Sequence, residues 1–289
     1  MKPINFVSLF LYSFFLFTFL SCNKNNDFTP KNNSVEQVSD LVTLHGNLDG
    51  NIVVVSTQGG PLTFLDDKVL DEFITEAQAQ SALFVNVHQE QTKNPSKFKS
   101  ADITFEQAKQ YDLQSVAYLK RVVDFYKSQQ GKTVYVLGIS FGAFIAQELI
   151  FQYGIDVADG YLIMVGRLDM DKDTWQSFSQ GKYAGYDYDN NGNYTINFFG
   201  DAPDTEHKNT AKLAAGLGYN RYTDKLKNIS DLSKITYVHG NRDSQVGPLS
   251  TQEIQFLNGK GAKTVLADGA GHNEAISKGL AILKQTFGI

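Results

Sequence analysis

The chain has 289 residues, of which 42% are hydrophobic and 20% charged, with a formal net charge of −5. That composition excludes wholesale disorder and a coiled coil, and the length can bury the core of one large α/β domain. No basic run points to nucleic acid, and a single cysteine excludes an intrachain disulfide and any cysteine-built zinc site.

Lys2 precedes Ile4–Leu20, an uncharged run of 17 residues dominated by Phe and Leu. The run is short for a membrane span, which needs about 20 apolar residues, and fits an export signal over residues 1–21. The one cysteine, Cys22, follows Phe19-Leu20-Ser21. This resembles the lipobox of bacterial lipoproteins, with Phe19 where Leu is usual. The resemblance implies cleavage before Cys22, lipidation of Cys22 and an anchor in a membrane of the cell envelope. An uncleaved anchor helix with an incidental cysteine is the plainer alternative. Either reading puts the body outside the cytoplasm. Residues 22–40, rich in Asn, Lys, Ser and Asp, read as a flexible tether. Loss of Lys2 with the signal leaves a mature net charge of −6.

From residue 41 the chain reads as one domain to residue 289. Leu41–Leu44 can add an antiparallel edge strand. Ile52–Val55 is a β-branched run, so it predicts a buried strand, and it breaks into Gln58-Gly59-Gly60-Pro61. Leu65–Ser81 carries apolar residues at helical spacing. Ala82–Val87 predicts a second strand, and Thr104–Gln129 a long amphipathic helix with Thr104 and Gln107 placed as a capping box. Thr133–Leu137 predicts a strand, Phe141–Tyr153 a helix, and Gly160–Val165 a fourth parallel strand. Ile235–Val238 and Thr264–Leu266 predict two more strands, and Gly271–Phe287 a closing helix. Strands alternating with helices imply an α/β fold, a mostly parallel sheet with helices on both faces. Arg167–Ser233 interrupts the alternation, and a structured insertion there sits over the sheet edge like a lid.

Gly138-Ile139-Ser140-Phe141-Gly142 fits G-x-S-x-G between a predicted strand and a predicted helix. Such a turn presents a serine hydroxyl at the carboxyl end of the sheet, and the helix N-terminus favours a developing oxyanion. A glycine-rich turn that merely packs strand against helix has the same pattern. A serine nucleophile needs a base oriented by an acid. Of five histidines, His272, in the glycine loop after the last strand, reaches the same edge; His45, His88, His207 and His239 read as structural or surface residues. Asp243, after Ile235–Val238, is the candidate acid, although an aspartate after a strand is often only a turn residue. Asp169 is the rival acid, and Asp268 is near His272 in sequence alone.

The order Ser140, Asp243, His272 resembles that of the α/β-hydrolase superfamily, over roughly residues 41–289 with 167–233 at the place of its variable lid. The resemblance implies the α/β-hydrolase fold and a serine hydrolase. Its oxyanion hole would combine the backbone N–H groups of Phe141 and Gly60. Gln58-Gly59-Gly60-Pro61 is similar to the His-Gly-Gly-Pro loop of proline iminopeptidases, with Gln58 in place of the histidine, a departure that weakens a peptidase reading. Otherwise Gly59-Gly60 is an ordinary turn. A carboxylic ester or a short peptide is the expected substrate; a surface-lipoprotein binding module without turnover is the non-catalytic alternative.

Asp187, Asp189 and Asn191 match the first half of a calcium loop, but the twelfth position is Phe198 where Glu is required. A β-hairpin around Asn190-Asn191-Gly192 fits better, and no metal is expected. The insertion also holds Trp175, Phe178, Tyr183, Tyr186, Tyr188, Tyr194, Phe198 and Phe199, either a pocket over Ser140 or the insertion's own core. No phosphate loop or dinucleotide fingerprint is present, so no cofactor is expected.

Overall fold

The computed structural model describes residues 37–289. The export signal, Cys22 and most of the tether lie outside the described residues. Among the described residues no helix is long and apolar enough to cross a membrane.

A 3₁₀ turn, Val38–Leu41, leads into β1 (Val42–Gly46), β2 (Ile52–Thr57), α1 (Asp67–Glu76), β3 (Leu83–Val87), α2 (Glu90–Lys93), α3 (Pro95–Ser100) and α4 (Phe105–Asp124). Then come β4 (Thr133–Ile139), α5 (Phe141–Tyr153) and β5 (Gly160–Met164). The insertion contributes α6 (Lys172–Ser179), β6 (Lys182–Tyr188), β7 (Tyr194–Asp201), α7 (Thr205–Gly218) and α8 (Tyr222–Lys225). The chain ends with β8 (Ile235–Gly240), α9 (Thr251–Gly259), β9 (Lys263–Ala267) and α10 (His272–Phe287).

Seven strands form one sheet in the order β1-β3-β2-β4-β5-β8-β9. Only β1 is antiparallel, pairing with β3 as the edge expected from Leu41–Leu44. The β-branched runs are buried on both faces. Val53, Val55, Val134, Val136, Tyr161 and Ile163 point to one side, against α4 and α5. Val54, Leu137, Leu162, Met164 and Val238 point to the other, against α1 and α10. Helices cover both faces, so the strands carry continuous apolar runs rather than alternating ones.

Local chemistry sets the boundaries. The Thr104 hydroxyl accepts from Gln107 N at 3.1 Å, and the Gln107 carboxamide accepts from Thr104 N at 2.8 Å, so the expected capping box starts α4. Its last turn, Phe125–Gln129, widens to π geometry. α1 is shorter than its apolar periodicity suggests: Asp66 caps its start, and Gln78, at φ +51°, stops propagation after Ala77. α2, α3 and α9 were not expected; four to nine residues are too few to show a helical period.

β6 and β7 form the expected hairpin. In its turn the Asp189 carboxylate accepts from Asn191 N and Asn193 N, both at 2.8 Å, and from Asn193 Nδ2 at 2.9 Å. Both carboxylate oxygens thus close the turn.

Candidate active site

Ser140 sits between β4 and α5 at φ +53°, ψ −113°. A non-glycine residue there costs about 1–3 kcal/mol and persists only where its surroundings enforce it. The enforcement is local and tight. A Cβ on Gly142 would lie 2.0 Å from Thr57 O, and one on Gly138 2.8 Å from Gly142 O. Gly142 is therefore required by the close approach of α5 to the end of β2, and Gly138 by the close approach of α5 to the end of β4. Ser140 N donates to Met164 O at 2.9 Å, tying the turn to β5. The serine precedes the first residue of α5, but its hydroxyl makes no capping bond to the helix. The turn aims the side chain into a cavity rather than back at the backbone.

At the ends of β8 and β9, His272 Nδ1 donates to Asp243 Oδ2 at 2.7 Å, with both side chains buried. A donating Nδ1 leaves Nε2 as the nitrogen with the free lone pair. The other oxygen, Asp243 Oδ1, accepts from Gln245 N at 2.9 Å and Val246 N at 3.1 Å, which fixes the carboxylate plane. The two loops are joined directly. Arg242 N donates to Ala270 O at 3.0 Å, and Gly269 N to Asn241 Oδ1 at 2.7 Å. Gly240 lets them meet, since a Cβ there would be 2.4 Å from Ala270 O. Asp268 accepts from Asn241 Nδ2 at 2.8 Å, a bond between the loops.

The rival Asp169 is committed elsewhere. Its carboxylate accepts from Arg221 Nη2 at 2.7 Å and from the Thr223 hydroxyl at 2.6 Å. His45 bonds Asp71 and Asp67 on α1, His88 bonds Thr92, and His207 bonds Asp204. His239 departs from the expected surface or hydrogen-bonded role. It is buried at the end of β8, its Nδ1 has no partner among the described residues, and burial pulls its imidazole below the ordinary range.

The loop after β2 passes beside the serine. A Cβ on Gly59 would lie 3.1 Å from Ser140 Cβ, so a larger residue there would press on the serine. Gly60 has φ +57°, and its carbonyl accepts from Leu62 N at 2.8 Å. The Gln58 carboxamide braces the loop from both ends, donating to Phe64 O at 2.9 Å and accepting from Asp66 N at 2.8 Å. Beneath it the buried Gln89 donates to Gln58 O at 2.9 Å and receives a bond from Gln91. Sequence reasoning missed this brace. Its only local signal is the polar run Gln89-Glu90-Gln91-Thr92, which starts two residues past β3 and is buried throughout.

A cavity of about 830 Å³ opens over Ser140, walled by Gly60, Phe141, Phe144, Tyr186 and Phe199 among others. The insertion supplies one wall and also grips the loop that carries Asp243. The Tyr188 hydroxyl donates to Asp243 O at 2.8 Å, and Tyr186 N to Ser244 O at 2.9 Å. Burial, then the charge of Asp243, pushes the Tyr188 phenol up, so it stays a donor through the alkaline range. Nearby, Glu253 is buried and accepts from Leu168 N and Asp169 N, each at 2.9 Å, and from Arg167 Nη2 at 3.1 Å. Among the described residues no group of three or more His, Cys, Asp or Glu side chains is placed to hold a metal.

No protein-family profile matches the sequence, and no curated protein matches it. Solved structures do match in shape. One is a lipase-esterase related protein from Clostridium acetobutylicum, 12% identical, TM-score 0.53, covering 86% of this chain and 99% of that one. Another is MGS-M2, an alpha/beta hydrolase enzyme from a Medee basin deep-sea metagenome library, 12% identical, TM-score 0.53, covering 86% and 94%. A third is Est1E from Butyrivibrio proteoclasticus with ferulic acid bound, 13% identical, TM-score 0.52, covering 85% and 94%. At such identities the likeness is one of fold, and the chain has the α/β-hydrolase fold.

Proposed function

We propose that this protein is a serine hydrolase that cleaves a carboxylic ester through an acyl-enzyme. The observation that carries the reading is the positive-φ Ser140 on the β4–α5 turn, at the same sheet edge as the buried His272–Asp243 pair. Ser140 Oγ attacks the ester carbonyl. His272 Nε2 takes the serine proton and returns it to the departing alkoxide, while Asp243 holds the imidazole with Nδ1 protonated. The N–H groups of Phe141 and Gly60 face the oxyanion, and α5 adds the positive end of its dipole. Water then enters along the leaving group's path and releases the acid. Gln58 in place of a histidine leaves these main-chain donors intact, because its own side chain serves the loop's shape.

Labelling with a fluorophosphonate serine probe, followed by a panel of acyl esters and aminoacyl amides, tests the reading. Wild type is expected to label at Ser140 and to turn over esters; Ser140→Ala is expected to do neither while unfolding at the same temperature. Ester turnover at wild-type rate by Ser140→Ala would end the serine mechanism. The anchor belongs to the same proposal: Cys22, lipidated after removal of residues 1–21, would hold the enzyme at a membrane of the cell envelope. A mature protein that begins at an unmodified Met1 would rule that out.

A further inference from the structure

The cavity over Ser140 is chemically lopsided, and that asymmetry bears on which substrates enter. Phe144 on α5, Met170, Phe178 on α6, and Ala211 and Ala214 on α7 wall it with apolar side chains. Ala211 and Ala214 are three apart and share a helix face, so two methyl groups stand where larger side chains would close the space. Among the described residues the only charged or titratable side chains in the wall are Asp187, Glu206, His207, Tyr183 and Tyr186, and no lysine or arginine lines it. Glu206 accepts from the Thr63 hydroxyl and has Lys99 Nζ 3.6 Å away, which offsets part of its charge. His207 is paired with Asp204. Asp187 is exposed and accepts only a neutral bond, from Asn197 Nδ2 at 2.9 Å. The cavity therefore presents an apolar wall and a negative rim.

The position of the base says which half of an ester lies there. His272 must hand its proton to the leaving group, and His272 is not among the residues that wall the cavity. With His272 as the proton donor, the alcohol half is assigned to the side of the carbonyl that His272 approaches. The acyl half, attached to the same carbonyl, lies inside.

We infer that the cavity is an acyl site selective for uncharged apolar carboxylic acyl groups, and that it rejects acyl groups carrying a second carboxylate. This rests on Ser140 being the nucleophile. A carboxylate entering the cavity would leave water without gaining a cation, and would pass Asp187 on the way. The volume of about 830 Å³ is that of an ordinary small-molecule site, ample for an acyl chain of several carbons.

The test uses purified protein and 4-nitrophenyl esters with one leaving group throughout. From acetate to hexanoate, kcat/KM should rise by up to about fourfold for each methylene buried. The monoanionic 4-nitrophenyl glutarate should react roughly tenfold more slowly than the valerate of matched length, with the gap narrowing as salt rises. Asp187→Asn should narrow the same gap at low salt. Ala214→Leu should lower the hexanoate-to-acetate ratio by about tenfold, because its branched side chain fills the room the alanine leaves. Serine-probe labelling reports the nucleophile separately. A labelled enzyme with a flat chain-length profile, or one that turns over glutarate as fast as valerate, overturns the acyl-site inference and leaves the serine mechanism standing. An enzyme that does not label overturns both. Should Ala214→Leu fail to fold, the wild-type profile and the Asp187→Asn ratio decide alone.

Discussion

Tyr188→Phe separates a hairpin that merely covers the site from one that holds Asp243, the proposed acid. The change removes one hydroxyl, which donates to Asp243 O at 2.8 Å, and keeps the ring that packs near Tyr194, 6.2 Å between centroids. Asp243 O still accepts from Gly247 N at 3.1 Å, so no buried carbonyl is left empty. The loss is then that of a single neutral bond, about 0.5–1.5 kcal/mol. For a domain of this size 1 kcal/mol lowers Tm by about 2–4 °C. If the same loosening reaches the Asp243–His272 pair in the transition state, 1 kcal/mol corresponds to roughly a fivefold fall in kcat. KM should hold, because Tyr188 does not wall the cavity although Tyr186 and Asp187 do. Thermal unfolding and steady-state kinetics on one 4-nitrophenyl ester read both effects. A lowered Tm with unchanged kcat would mean that the bond serves the hairpin alone. A raised KM with unchanged kcat would place Tyr188 in substrate binding instead.

Asp243→Asn should lower kcat by about 10⁴-fold, since an amide favours the wrong imidazole tautomer; Asp169→Asn, whose carboxylate holds Arg221 and Thr223, should cost stability and little rate, and the reverse ranking in kcat would move the acid to the loop after β5. Asp112 is buried in α4 with both carboxylate oxygens unpartnered among the described residues, and burial, then the charge of Glu148, raises its pKa well above the ordinary carboxylate range. Folding favours its protonated form, so its contribution is whole below about pH 4 and is lost as pH rises towards the folded value, by at most about 1.4 kcal/mol per pH unit. Asp112→Asn should therefore raise the urea midpoint more at pH 9 than at pH 4, where the carboxyl is protonated in both states; a gain independent of pH across that span would contradict this account.

The sequence by itself determined the layered α/β plan and the places where chemistry can stand. Strands buried on both faces must be apolar at every position, so Ile52–Val55 and Gly160–Val165 announce themselves without their neighbours. The turn at Gly138–Gly142 is equally local: strand, glycines and helix are contiguous, and α5 spans Phe141–Tyr153 as its pattern requires. The order of Ser140, Asp243 and His272 along the chain, each after a strand of one parallel sheet, already put them on one edge.

Tertiary structure decided the rest. Nothing local distinguishes Asp243 from Asp169 or Asp268, because the distinction is which side chain His272 meets across 29 positions of chain. The Gln58–Gln89 brace spans 31 positions, and the Tyr188 bond to Asp243 spans 55. Aromatic residues in the insertion serve several places at once: Phe199 walls the cavity, Tyr186 both walls it and packs on Tyr194, Tyr188 packs near Tyr194, and Trp175 packs on Phe105 and Tyr219. Hydrophobic period reports only whether a side chain is buried. Partners in a hydrogen bond between distant loops leave no period, since the sequence between them is free to vary while the closed chain brings them together.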